Sequence, residues 1–69
     1  MSRSELFELK LIANGHGYNA EVVHKAKVLA AQAGDFALGL CFKALENGMA
    51  SAYTTKRITD FANTITPAA

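Results

Sequence analysis

The side chains with the most to offer chemically are Cys41, His16 and His24, with Glu5 and Glu8 as a pair of carboxylates. Nucleophilic catalysis needs Cys41 or a serine within hydrogen-bonding reach of a histidine. Cys41 falls in Phe36-Ala37-Leu38-Gly39-Leu40-Cys41-Phe42, the most apolar stretch of the chain, where a cysteine serves as a small hydrophobe with an inert thiol. His16 stands in a glycine loop and His24 on the mixed face of a helix, and neither is followed by a second ligand four residues on. A zinc site takes four convergent ligands, or three and a water, whereas the chain offers one Cys and two His. Glu5 and Glu8 lie one turn apart on a segment that also carries Lys10, which reads as a solvated face. Gly15-His16-Gly17 lacks the lysine, the longer glycine pattern and the preceding strand of a phosphate loop, so its glycines read as a turn. These residues predict no enzyme, no cofactor and no metal.

The elements that must position any site are few, because 69 residues make one domain. Of the apolar half of the composition, 13 residues are alanine, so the core is small and a partner surface or self-association is expected. A net charge of +1 is far from the basic excess of a domain held to nucleic acid through phosphates. One cysteine allows no internal disulfide and suits a reducing compartment. No apolar run reaches the ~18 residues of a membrane span, and Met-Ser-Arg-Ser-Glu is unlike a signal peptide. The expectation is a cytoplasmic protein with no membrane contact.

Ser2 and Glu5 have the spacing of a capping box, which favours a helix over Glu5 to Ala13. The alternation of Phe7, Leu9 and Leu11 with Glu8 and Lys10 is also a strand pattern, broken by Leu6 and Ile12. Asn14-Gly15 ends this segment, and Asn19 caps a second helix to about Ala33 with a stripe of Val22, Ala26, Leu29 and Ala33, widened by Val23 and Ala30. Gly34-Asp35 closes that helix and opens a third, Phe36 to Glu46, apolar nearly all round and so expected at the centre of the molecule. Asn47-Gly48 ends it. Ser51 or Thr54 caps a fourth helix, in which Ile58, Phe61, Ala62 and Ile65 share a face until Pro67, with residues 67–69 expected to fray. The fold class is all-α: a bundle of three to four short helices in a single domain, 1–69, around residues 36–46.

Ala44, Gly48 and Met49 meet the alanine–glycine–apolar spacing of a helix-turn-helix, which the segment resembles over about 20 residues. The resemblance implies a small DNA-binding regulator whose second helix offers Ser51, Tyr53, Thr54, Thr55, Lys56 and Arg57 to a groove. Ala30 and Gly34 also match, but Phe36-Ala37-Leu38-Gly39-Leu40 cannot read bases. The motif's buried positions would be Lys43, Asn47, Thr54 and Arg57, all polar, which is expected to prevent the usual closure of the two helices. The reading preferred from the sequence is a non-catalytic protein-binding module, a regulator or inhibitor of a larger protein that also self-associates, with a dimer favoured. Its candidate contact residues are Tyr18, Phe36, Met49 and Tyr53, which lie at helix ends or turns. DNA binding through Ser51, Tyr53, Thr55, Lys56 and Arg57 is the alternative.

Overall fold

The Ser2 hydroxyl accepts from the Glu5 N–H at 3.1 Å while the Glu5 carboxylate accepts from the Ser2 N–H at 2.9 Å, and this closed capping box starts helix α1, Arg3–Ala13. The protein is described by a computed structural model covering residues 1–68. Asn19 caps α2, Ala20–Gln32, through its side-chain carbonyl, Asp35 caps α3, Phe36–Glu46, and Ser51 caps α4, Ala52–Thr64. Each of these caps matches the residue type its position requires, and the capping box decides the first segment as helix against strand.

The α2–α3 junction shows why the connections can be so short. Gly34 takes φ +72°, a left-handed angle that an L side chain resists, and so the Asp35 N–H can turn back to the Ala30 carbonyl at 3.3 Å. One residue thus ends one helix and the next begins another. At the α3–α4 junction Gly48, φ +70°, lets the Met49 N–H reach the Ala44 carbonyl at 2.8 Å by the same geometry.

The all-α bundle expected from the sequence is what forms. Each helix packs on its neighbours in sequence, and α4 closes the ring against α1. The core lies inside that ring: Leu6, Leu9 and Ile12 from α1, Val22, Val23, Ala26 and Ala30 from α2, Leu38, Cys41, Phe42 and Leu45 from α3, Ile58 and Ala62 from α4. Phe42 meets the edge of Phe61 with ring centroids 6.2 Å apart and planes at 78°. Beyond α4 the chain turns back, and the Ala68 N–H donates to the Met1 carbonyl at 2.9 Å. Pro67 is half-buried there; the fraying expected over 67–69 meets this contact at Ala68, and Ala69 lies outside the described residues.

Three expectations need correction. Helix α3 is not an enclosed axle: it packs on α2 and α4, and its outer face stands open, with Phe36 80% and Leu40 53% exposed. The ring arrangement leaves every helix one face toward solvent, and an apolar composition does not exempt α3. On α2 the stripe is rotated, so that Ala30 and Val23 are buried while Ala33 is exposed and Leu29 only half-buried. The polar positions at the α3–α4 junction do not keep the helices apart either. Lys43 and Asn47 point to solvent, whereas Thr54 is buried with its hydroxyl accepting from Ser51 at 3.3 Å.

Ion pairs tie the helices at their outer edges. Lys25 Nζ lies 2.6 Å from Glu5 Oε2 and 3.5 Å from Glu21, joining α1 to α2, and Lys27 lies 2.8 Å from Glu46, joining α2 to α3. The Lys25 ammonium, together with the Ser2 N–H, holds the Glu5 carboxyl down to about 2. An unfolded glutamate titrates near 4.3. Folding is therefore favoured by this group above that value, and the contribution is lost as the pH falls toward about 2. Denaturation midpoints between pH 5 and about 2 should fall less steeply in Glu5→Gln, which keeps an acceptor for the capping box, than in the wild type. Parallel pH profiles would show that the Glu5–Lys25 pair contributes nothing.

Candidate functional site

The four aromatic and methionine side chains singled out from the sequence are all on the surface. Tyr18, Phe36, Met49 and Tyr53 are exposed, each on a different helix or connection. Tyr18 stands in the α1–α2 connection and Met49 in the α3–α4 connection. Phe36 lines a groove of about 550 Å³ between α2 and α3. Lys27 and Ala31 form one wall of that groove, and Phe36, Gly39, Leu40 and Lys43 form the other.

The residues considered for reading DNA are mostly engaged inside the molecule. Ser51 caps α4, accepting from the Thr54 N–H at 3.2 Å. The Thr55 hydroxyl donates to the Ala13 carbonyl at 2.7 Å, satisfying an orphan acceptor at the end of α1 and docking α4 on it. Arg57 Nη2 lies 3.0 Å from both Asp35 oxygens, binding the middle of α4 to the start of α3. The Leu38 N–H and this guanidinium hold the Asp35 carboxyl below its ordinary range, and Asp35 in turn pushes Arg57 up. Arg57 Nε is buried without a partner among the described residues. Lys56 pairs with Asp60 one turn on, at 3.0 Å and in full view of solvent. Of the five, Tyr53 is exposed and makes no side-chain hydrogen bond among the described residues.

The exposed apolar face of α1, and Leu40 beside Phe36 on α3, were not among the sequence candidates. On α1, Phe7 is 65% exposed and Leu11 stands one turn below it, on the side away from the buried Leu6, Leu9, Ile12 and Ala13. Phe7 shares a shallow hollow with Arg3, Lys10 and Pro67, and neither Arg3 nor Lys10 has an acidic partner among the described residues. The signal was present in the sequence, since Phe7 and Leu11 are out of phase with the rest of the α1 stripe. On α3, Leu40 extends the exposed surface of Phe36, and Gly39 stands beside it in mid-helix.

Gly39 is unlike the other four glycines, because it keeps a φ that any residue could take. A Cβ built on it would meet nothing within 4 Å. Glycine in a helix interior costs about 1 kcal/mol relative to alanine, and among the described residues no close approach to Gly39 offsets it.

Cys41 is buried, His16 and His24 are exposed, and among the described residues no three His, Cys, Asp or Glu side chains converge as a metal site would require. No helix among them is long and apolar enough to cross a membrane. Comparison with family models, curated proteins and solved structures finds no match for the chain.

Proposed function

We propose that the protein is a non-catalytic binding module, a regulator or inhibitor that grips a larger protein through the outer face of α1. The observation that carries this reading is the pairing of exposed Phe7 and Leu11 with the uncompensated charges of Arg3 and Lys10. Exposed phenylalanine forgoes the roughly 1.5–3 kcal/mol that its burial would contribute to folding, and two cations beside it complement an acidic apolar segment. The occupant is thus an amphipathic stretch of a partner protein, with a large apolar side chain seated on Phe7 and carboxylates reaching Arg3 and Lys10. Small size, the absence of a clustered nucleophile and base among the described residues, and the modest net charge all support a binding role.

The second reading, DNA binding through residues 51–57, is weakened by the internal engagement of Ser51, Thr55 and Arg57. A groove reader needs those donors free.

Capture from the source cell, followed by binding of the purified partner, tests the choice. Phe7→Ser/Leu11→Ser and Arg3→Glu/Lys10→Glu should each weaken the complex at least about tenfold, a normal effect for losing central anchors. The charge variant's loss should shrink in high salt. Helical content by circular dichroism should be unchanged, since all four side chains lie outside the core. A complex that tolerates both variants would overturn the α1 reading, and duplex DNA binding lost in Lys56→Ala/Arg57→Ala would replace it.

A further inference from the structure

We infer that the outer face of α3 is a two-fold interface with a second copy of this chain, the two α3 helices lying antiparallel across Gly39 and Leu40. This identifies the surface behind the self-association already expected, and it uses a face distinct from the α1 site. Three observations lead to it. Phe36 and Leu40 are open to solvent on one side of α3, next to the groove between α2 and α3. Gly39 lies beside them on the groove side of α3 with open space above it, so among the described residues its missing side chain serves no contact, and it lets another helix backbone come close. The charges along the face allow a reciprocal contact: Asp35, held by Arg57 within the chain, stands at one end, and Lys43, without an acidic partner among the described residues, at the other.

In a two-fold pairing every contact is made twice, with residue i against j and j against i. An axis passing between Gly39 and Leu40 sets Leu40 of each copy over the partner's glycine. It brings Lys43 of each copy to the start of the other's α3, beside Phe36 and within reach of the Asp35 carboxylate. That carboxylate is partly exposed and accepts from Leu38 and Arg57, with capacity left for another donor. The reverse, parallel arrangement would set Lys43 against Lys43. An ordinary interface hides about 800 Å² on each side, from a chain surface of 4336 Å². One helix face falls short of that, so the pairing requires the partner to cover the α2 wall of the groove, Lys27 and Ala31, as well. The α1 face cannot form such a pair as readily, since an antiparallel axis beside Phe7 would set Arg3 of each copy against Lys10 of the other.

Sedimentation equilibrium of the whole chain over a concentration series tests the pairing. The wild type should dimerise, and Leu40→Glu should raise the dissociation constant at least about tenfold by burying a charge at the axis. Gly39→Leu should do the same by filling the space between the helices. It removes a helix-weakening residue where the isolated chain has room, so its melting temperature when monomeric should not fall. Lys43→Glu should weaken the dimer most at low salt. Phe7→Ser should leave the dimer intact while disrupting the α1 complex, so the two readings fail separately. A wild type that stays monomeric at millimolar concentration overturns the inference. So does a dimer indifferent to Leu40→Glu and Gly39→Leu. A monomer whose partner complex is lost in Leu40→Glu would give the face to another protein instead.

Discussion

Phe42→Ala should leave a large fraction of the molecules unfolded at room temperature. Phe42 is the largest side chain with no solvent exposure, and it bridges α3 to α4 through the edge contact with Phe61. Truncating a buried phenylalanine costs about 3–5 kcal/mol, part of it lost transfer energy and part the cavity that remains. A domain of this length is stable by roughly 3–10 kcal/mol in total, taking 0.05–0.15 kcal/mol per residue. The loss therefore consumes much or all of the margin. Urea titration followed by circular dichroism measures it, with Phe42→Leu expected to fall between the variant and wild type. A Phe42→Ala protein that melts with the wild type would show that α3 is not seated on α4 as described.

The second large effect has the opposite sign of volume. Ala26→Leu should destabilise by about 1–3 kcal/mol even though leucine is a good helix former and more apolar. Ala26 has no exposed surface and sits among α2 side chains that face the inside of the ring. Three added carbons have nowhere to go unless α2 moves away from a neighbour, and closely packed interiors resist such shifts. Ala37→Leu, on an exposed position of α3, should change stability by no more than about 0.5 kcal/mol. Equal melting of the two leucine variants would contradict a tight seat for α2. Ala13, Ala26, Ala30 and Ala62 are therefore spacers that set how closely the helices approach, whereas most of the other alanines lie on the surface.

The caps and the order of helices were readable from the sequence because they depend on neighbours within a turn. Ser2 with Glu5, Asn19, Asp35 and Ser51 each act on backbone groups two or three residues away. The placement of α3 was not readable in the same way. Leu38 and Phe42 differ little in type from Leu40 and Phe36, and only the other helices decide which pair is covered. Roles that cross the fold were equally hidden. Thr55 bonds Ala13 across 42 residues and Arg57 meets Asp35 across 22, so both looked available for a ligand. The α1 face, by contrast, could have been recognised from the phase of Phe7 and Leu11 against Leu6, Leu9 and Ile12.

The sulfur of Cys41 is sealed within the core cluster, in a chain with no other cysteine. An alkylating reagent can reach it only when the helices part, so the rate of labelling becomes a clock for local opening. The same seclusion keeps a disulfide from joining two copies of the folded chain through Cys41, so the α3 pairing inferred above rests on non-covalent contacts.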